Sequence, residues 1–94
     1  MEIQFTAQIL KEGRTYVAHT QELDVSSCGG TRQRVLKNIK EAVRLFLEEA
    51  GKLGSLDQIL EEAGFSKLNR KMEGPKLTST QKISVPMPLA NAKT

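Results

Sequence analysis

The sequence predicts a small α+β domain of order β-β-β-α-α-β, an antiparallel-rich sheet with its helices on one face. Three observations predict it. Apolar and polar residues alternate at the start of the chain, the period of a half-buried strand. Helical periodicity replaces that alternation from Val35 to Ala50, and alternation returns beyond Lys76. Strands first, then helices, then a closing strand give segregated layers around one core.

Each element has its own local reason. From Glu2 to Leu10, Ile3, Phe5, Ala7 and Ile9 share one face of a strand, and Gln4, Thr6 and Gln8 the other. Lys11-Glu12-Gly13-Arg14 is a turn, with Gly13 free to take positive φ. A second strand follows at Thr15–Thr20 and a third at about Leu23–Cys28, completing a meander. Gly29-Gly30-Thr31 ends that strand, and Thr31 caps a helix by accepting from a free backbone N–H of its first turn. Apolar positions 35, 36, 39, 42, 43, 46, 47 and 50 then fall within an arc of roughly 140°, the stripe of a helix packed on a sheet. Gly51 and Gly54 terminate it. Ser55-Leu56-Asp57-Gln58 fits a capping box for a second, shorter helix, which Gly64 stops. Residues 66–75 read as a polar, basic loop. In the last strand, Lys76–Pro86, Leu77, Ser79, Gln81, Ile83 and Val85 share a face that Met87 continues, and Pro86 and Pro88 suit an edge position.

Ninety-four residues suffice for one modest core, so residues 1–88 are expected as a single domain and 89–94 as a flexible tail. Apolar residues make up 38% and aromatics 4%, so that core is aliphatic and thin, which points either to a compact two-layer fold or to a homodimer or higher homo-oligomer that completes burial between subunits. The net charge of +3, from 14 basic and 11 acidic residues, permits phosphate contact without requiring it. Cys28 is the single cysteine, so neither an internal disulfide nor a cysteine metal cage can form. With no run of about 18 apolar residues and no signal-peptide pattern, a soluble cytoplasmic protein without membrane contact is expected.

Tyr16-Val17-Ala18, Glu22-Leu23, Gly29-Gly30-Thr31 and Asn38-Ile39-Lys40-Glu41-Ala42-Val43 occur in that order, followed by Leu56 to Phe65 and Ile83-Ser84-Val85-Pro86. This succession resembles the HicB-like antitoxin family, in a short form, over about residues 3 to 88. The resemblance implies a degenerate ribonuclease H-like fold and a function: binding and neutralising a HicA-like, mRNA-cleaving toxin of a type II toxin-antitoxin system. Many members add a C-terminal DNA-binding module. After Gly64 this sequence offers a loop, a strand and a tail, so the toxin-binding half of the role is what is expected here. Asp24-Val25 and Arg34-Val35 stand where the family often has Pro-Gly and Glu-Ala.

Catalysis is not expected. A ribonuclease H-type reaction needs carboxylates converging on paired metal ions, and the strands offer only Glu2, Glu22 and Asp24, the last read as a turn residue. His19, the only histidine, lacks an orienting group for a nucleophilic pair with Cys28, which reads as a small apolar filler. No catalytic residue, metal ligand or cofactor is therefore assigned. Partner contacts are expected from the polar face of the meander, at Gln4, Thr6, His19, Gln21, Glu22 and Asp24, with Leu45 exposed beyond the core stripe. Lys37, Lys40 and Arg44 share a helix side with Glu41 and Glu48, which partly cancel their field. Lys67, Arg70, Lys71 and Lys76 are less neutralised and form the best patch for a second reading, a non-catalytic nucleic-acid-binding module of ribonuclease H-like ancestry.

Overall fold

The structure, a computed structural model, describes residues 2–68 and 71–88. It is an α+β fold with two small sheets and two helices. Strands β1 (Glu2–Gln4), β2 (Ala7–Glu12), β3 (Thr15–Thr20) and β4 (Val25–Gly29) precede helices α1 (Arg32–Lys52) and α2 (Leu56–Glu62). Strands β5 (Ser66–Leu68) and β6 (Lys71–Glu73) follow. The expected meander is β2-β3-β4, antiparallel throughout, with Ala7 opposite Thr20 and Thr20 opposite Val25. Gly13 turns its first hairpin at φ +62°. Asp24 precedes β4 at φ +53°, a left-handed conformation that Asp tolerates better than most residues.

The first strand is not continuous. The alternation runs unbroken from Glu2 to Leu10, but the backbone leaves one sheet after Gln4 and enters the other at Ala7. Strand β1 pairs in parallel with β6, Glu2 beside Lys71 and Gln4 beside Glu73, and β6 pairs antiparallel with β5. Residues 66–75, expected as a loop, thus contain a hairpin. Its polar side chains hid it, because what holds it is the ladder it completes with distant β1 and the half-buried Met72 opposite Ile3.

Helix α1 packs its Val35, Ile39 and Val43 onto the inner face of the meander around Ala18. The cap forms as expected: the Arg34 N–H donates to Thr31 Oγ1 at 3.0 Å. At Gly29 the strand passes so close to the helix that an added Cβ would lie 2.8 Å from the Val35 nitrogen. Asn38 fixes the same contact, its Nδ2 donating to the Cys28 carbonyl at 2.8 Å. The helix runs through Gly51 to Lys52, and Gly54 turns the chain at φ +75°. Leu36, at the margin of the expected stripe, is 48% exposed.

Three further expectations are corrected. The capping box at Ser55 does not form, because Ser55 has φ −105° and ψ 4° rather than the extended backbone of a capping residue. Its Oγ and N–H turn back to the Ala50 carbonyl, tying α2 to the end of α1. Cys28 is exposed rather than a filler, since the pleat points it away from α1. No strand spans Lys76–Pro86. The alternating pattern is present there, but no strand edge receives it, and residues 76–88 are exposed throughout.

Candidate functional site

The outer face of the meander is open, because α1 covers only the inner one. Register places Gln8, His19 and Ser26 side by side across it, with Leu10, Val17 and Cys28 as the next row. Leu10 is 61% exposed and Cys28 is also exposed, so the second row is an apolar strip bordered by polar groups. Strands β2 and β4 are the edges of this sheet, and so leave one side of each backbone ladder open.

Asp24 closes the polar end of the face. His19 Nε2 lies 2.9 Å from Asp24 Oδ1, a contact that requires the proton on Nε2. Cys28 and His19 are not cross-strand neighbours, as His19 stands opposite Ser26 and Cys28 opposite Val17. With Nε2 committed to the exposed Asp24 carboxylate, His19 is a hydrogen-bonded surface group that helps to position the 21–24 turn.

A cleft of about 340 Å³ lies where β1 gives way to β2, and Thr6, Gln8, Gln21, Glu22 and Lys76 line it. Glu22 organises this joint. Its Oε2 accepts from the Thr6 N–H at 3.0 Å, and its Oε1 accepts from the Thr20 hydroxyl at 3.0 Å. Thr6 sits between the two sheets, where its N–H has no strand partner, and the carboxylate supplies one. Thr20 is fully buried, so its hydroxyl also needs this acceptor. Gln4 and Thr6 both border a second, larger groove on the α1 side of the joint.

Six of the residues expected for partner contact, Gln4, Thr6, His19, Gln21, Glu22 and Asp24, thus lie around the joint and the adjoining turn. Leu45 does not join them. It is 52% exposed on the solvent side of α1, in the layer behind the meander. The sequence reading passed over Leu10 and Val17, which the face adds. Their signal was available, since both are apolar residues out of phase with the buried set of an alternating strand.

The basic residues are dispersed. Lys67 stands opposite Met72 and Lys71 opposite Leu68, so the pleat sends the two lysines to opposite faces of their hairpin. Lys71 also has Glu2 as its neighbour on β1, and Lys76 lies on the cleft rim. Arg70 lies outside the described residues. On α1, Arg44 bonds both Glu41 and Glu48, its Nε donating to Glu41 Oε2 at 3.1 Å. That hydrogen bond holds the Glu41 carboxyl below its ordinary range and the Arg44 guanidinium above its own. Among the described residues, no group of three His, Cys, Asp or Glu side chains is placed to hold a metal ion. No helix among them is long and apolar enough to cross a membrane.

Comparison of the chain with protein-family models, with curated proteins and with solved structures found no match in any of the three.

Proposed function

We propose that this chain is an inhibitor of the HicB-like antitoxin type, which neutralises a small HicA-like, mRNA-cleaving toxin by covering it. The observation that carries the reading is the open face of the meander. An apolar strip led by exposed Leu10 lies beside the Gln8–His19–Ser26 row, next to a cleft whose polar groups are already held in place. A surface of this kind binds by burying area, with aliphatic anchors inside a polar rim, and needs no reacting group. The succession of motifs from Tyr16 to Val43 supports the same reading. Its Asn38 clamps the helix to β4 through the Cys28 carbonyl, so the motif has a structural task here. A degenerate ribonuclease H-like fold belongs to the proposal. The separation of Lys67 from Lys71 weighs against the nucleic-acid reading, because a phosphate track needs its cations on one face.

The test is co-expression with a small HicA-like toxin from the adjacent reading frame. Growth should be restored and a complex should co-purify. Leu10→Lys, at an exposed position, should leave the fold intact and weaken the complex at least tenfold. Failure of the unaltered chain to bind or to relieve toxicity would overturn the reading. Salt-sensitive RNA binding by the chain alone would point to the nucleic-acid module instead.

A further inference from the structure

We infer that residues 77–88 form an exchange arm that docks into the groove between β1 and α1 of a second copy of this chain. The arm has the sequence of a strand without the surroundings of one. Ile83, Val85 and Met87 recur at every second position and are 81%, 76% and 73% exposed, while Lys82, Ser84 and Pro86 take the alternate positions. Such a stripe fits a surface that covers one face of an extended chain.

The chain carries a matching surface. A groove of about 740 Å³ runs between β1 and α1, with Ile3, Phe5 and Leu36 among its apolar lining residues, Lys40 and Glu73 among its charged ones, and Pro75 also against it. Leu36 belongs to the apolar stripe of α1 yet is 48% exposed here, so the helix has a strip of its packing face uncovered.

Geometry directs the arm to another copy. It departs from Pro75 at the groove itself, and an extended chain puts Ile83 about 26 Å further along. Residues 76–85 contain no Gly, Pro, Asn or Asp to reverse their direction. The molecule is accordingly long, 55 × 28 × 26 Å, with a radius of gyration of 17.1 Å. A compact chain of this length would have about 12 Å.

The exposed area matches what a dimer would cover. The chain exposes 7933 Å² at 10.4 kDa. A globular monomer of that mass exposes about 5,400 Å². That surplus exceeds the roughly 800 Å² that each partner of a stable interface covers. Reciprocal exchange about a two-fold axis places each arm in the other copy's groove and closes the assembly.

The test uses the full chain. Sedimentation and light scattering at micromolar concentration should give twice the chain mass. Ile83→Asp with Val85→Asp, and separately Leu36→Asp, should each raise the dimer dissociation constant at least tenfold. The arm variant should keep its circular dichroism spectrum, since the arm contributes nothing to its own core. In a Cys28→Ser background, chains carrying Leu36→Cys and chains carrying Val85→Cys should form a mixed disulfide when combined. A chain that stays monomeric, a dimer insensitive to the arm substitutions, or the absence of a mixed disulfide between the two single-cysteine chains would overturn the inference. So would an arm protected from proteolysis only when a toxin protein is added.

Discussion

The Glu22 carboxylate accepts from the Thr6 N–H at the point where the first strand changes sheets. The bond spans two otherwise separate ladders and lets a chain that alternates without interruption bend between them. Its second oxygen satisfies a hydroxyl that is entirely buried. Glu22→Ala should therefore cost about 1–2 kcal/mol in urea denaturation. Thr6 amide exchange should accelerate, while the amides of β3 and β4 outside the joint keep their protection.

The close approach at Gly29 sets up a contrast between adjacent glycines. Gly29→Ala drives a Cβ into backbone at Val35, which cannot move without shifting the helix. A loss of about 1–3 kcal/mol is expected. A Cβ at Gly30 meets nothing, so Gly30→Ala should change the melting temperature little. Equal losses at the two positions would show that the strand does not sit as close to α1 as described.

Asn38 should matter more than an exposed-edge helix residue ordinarily does. Asn38→Ala removes the donor to the Cys28 carbonyl, for an expected cost of about 1 kcal/mol. Thr31→Ala removes the helix cap at a similar cost of about 1 kcal/mol. The two bonds serve different ends of one strand-helix junction, so a double-mutant cycle by thermal denaturation should show coupling between them.

Glu41 gives the chain a modest sensitivity to acid. Its carboxyl is held low by the hydrogen bond from Arg44. The associated stabilisation is present above the unfolded-state pKa and is lost as pH falls through the folded one. Arg44 stays protonated throughout that window, its own pKa being raised. In Arg44→Gln, the carboxyl-carbon titration of Glu41 should move up toward the ordinary range. The difference from the parent should shrink in high salt, because both side chains are about half exposed.

What could be read from the sequence depended on how far away each element's partners lie. The β2-β3-β4 meander and α1 were legible because adjacent segments satisfy each other: Gly13 closes a hairpin, Thr31 caps its own helix, and Val35, Ile39 and Val43 repeat at the helical period. The β5-β6 hairpin was not, because Met72 is stabilised by Ile3 at the other end of the chain. At Lys76–Pro86 the period-2 signal is genuine, but periodicity reports only what face a segment presents, never whether a neighbour is there to receive it. Thr6 and Glu22 were singled out only as polar residues on the open side of the meander and its 21–28 loop. Their mutual bond was invisible, since it arises from a break that alternation does not record. Leu10 and Val17 were overlooked for the opposite reason, as apolar residues whose phase places them outside the core.

The parallel pairing of β1 with β6 has a consequence for the order of folding. Everything from β2 to the end of α1 can close through contacts between neighbouring segments, which form early and cost little chain entropy. Strand β1 has no ladder until Lys71 to Glu73 are in place beside it. The β1-β6-β5 sheet is complete only once this late hairpin pairs with β1.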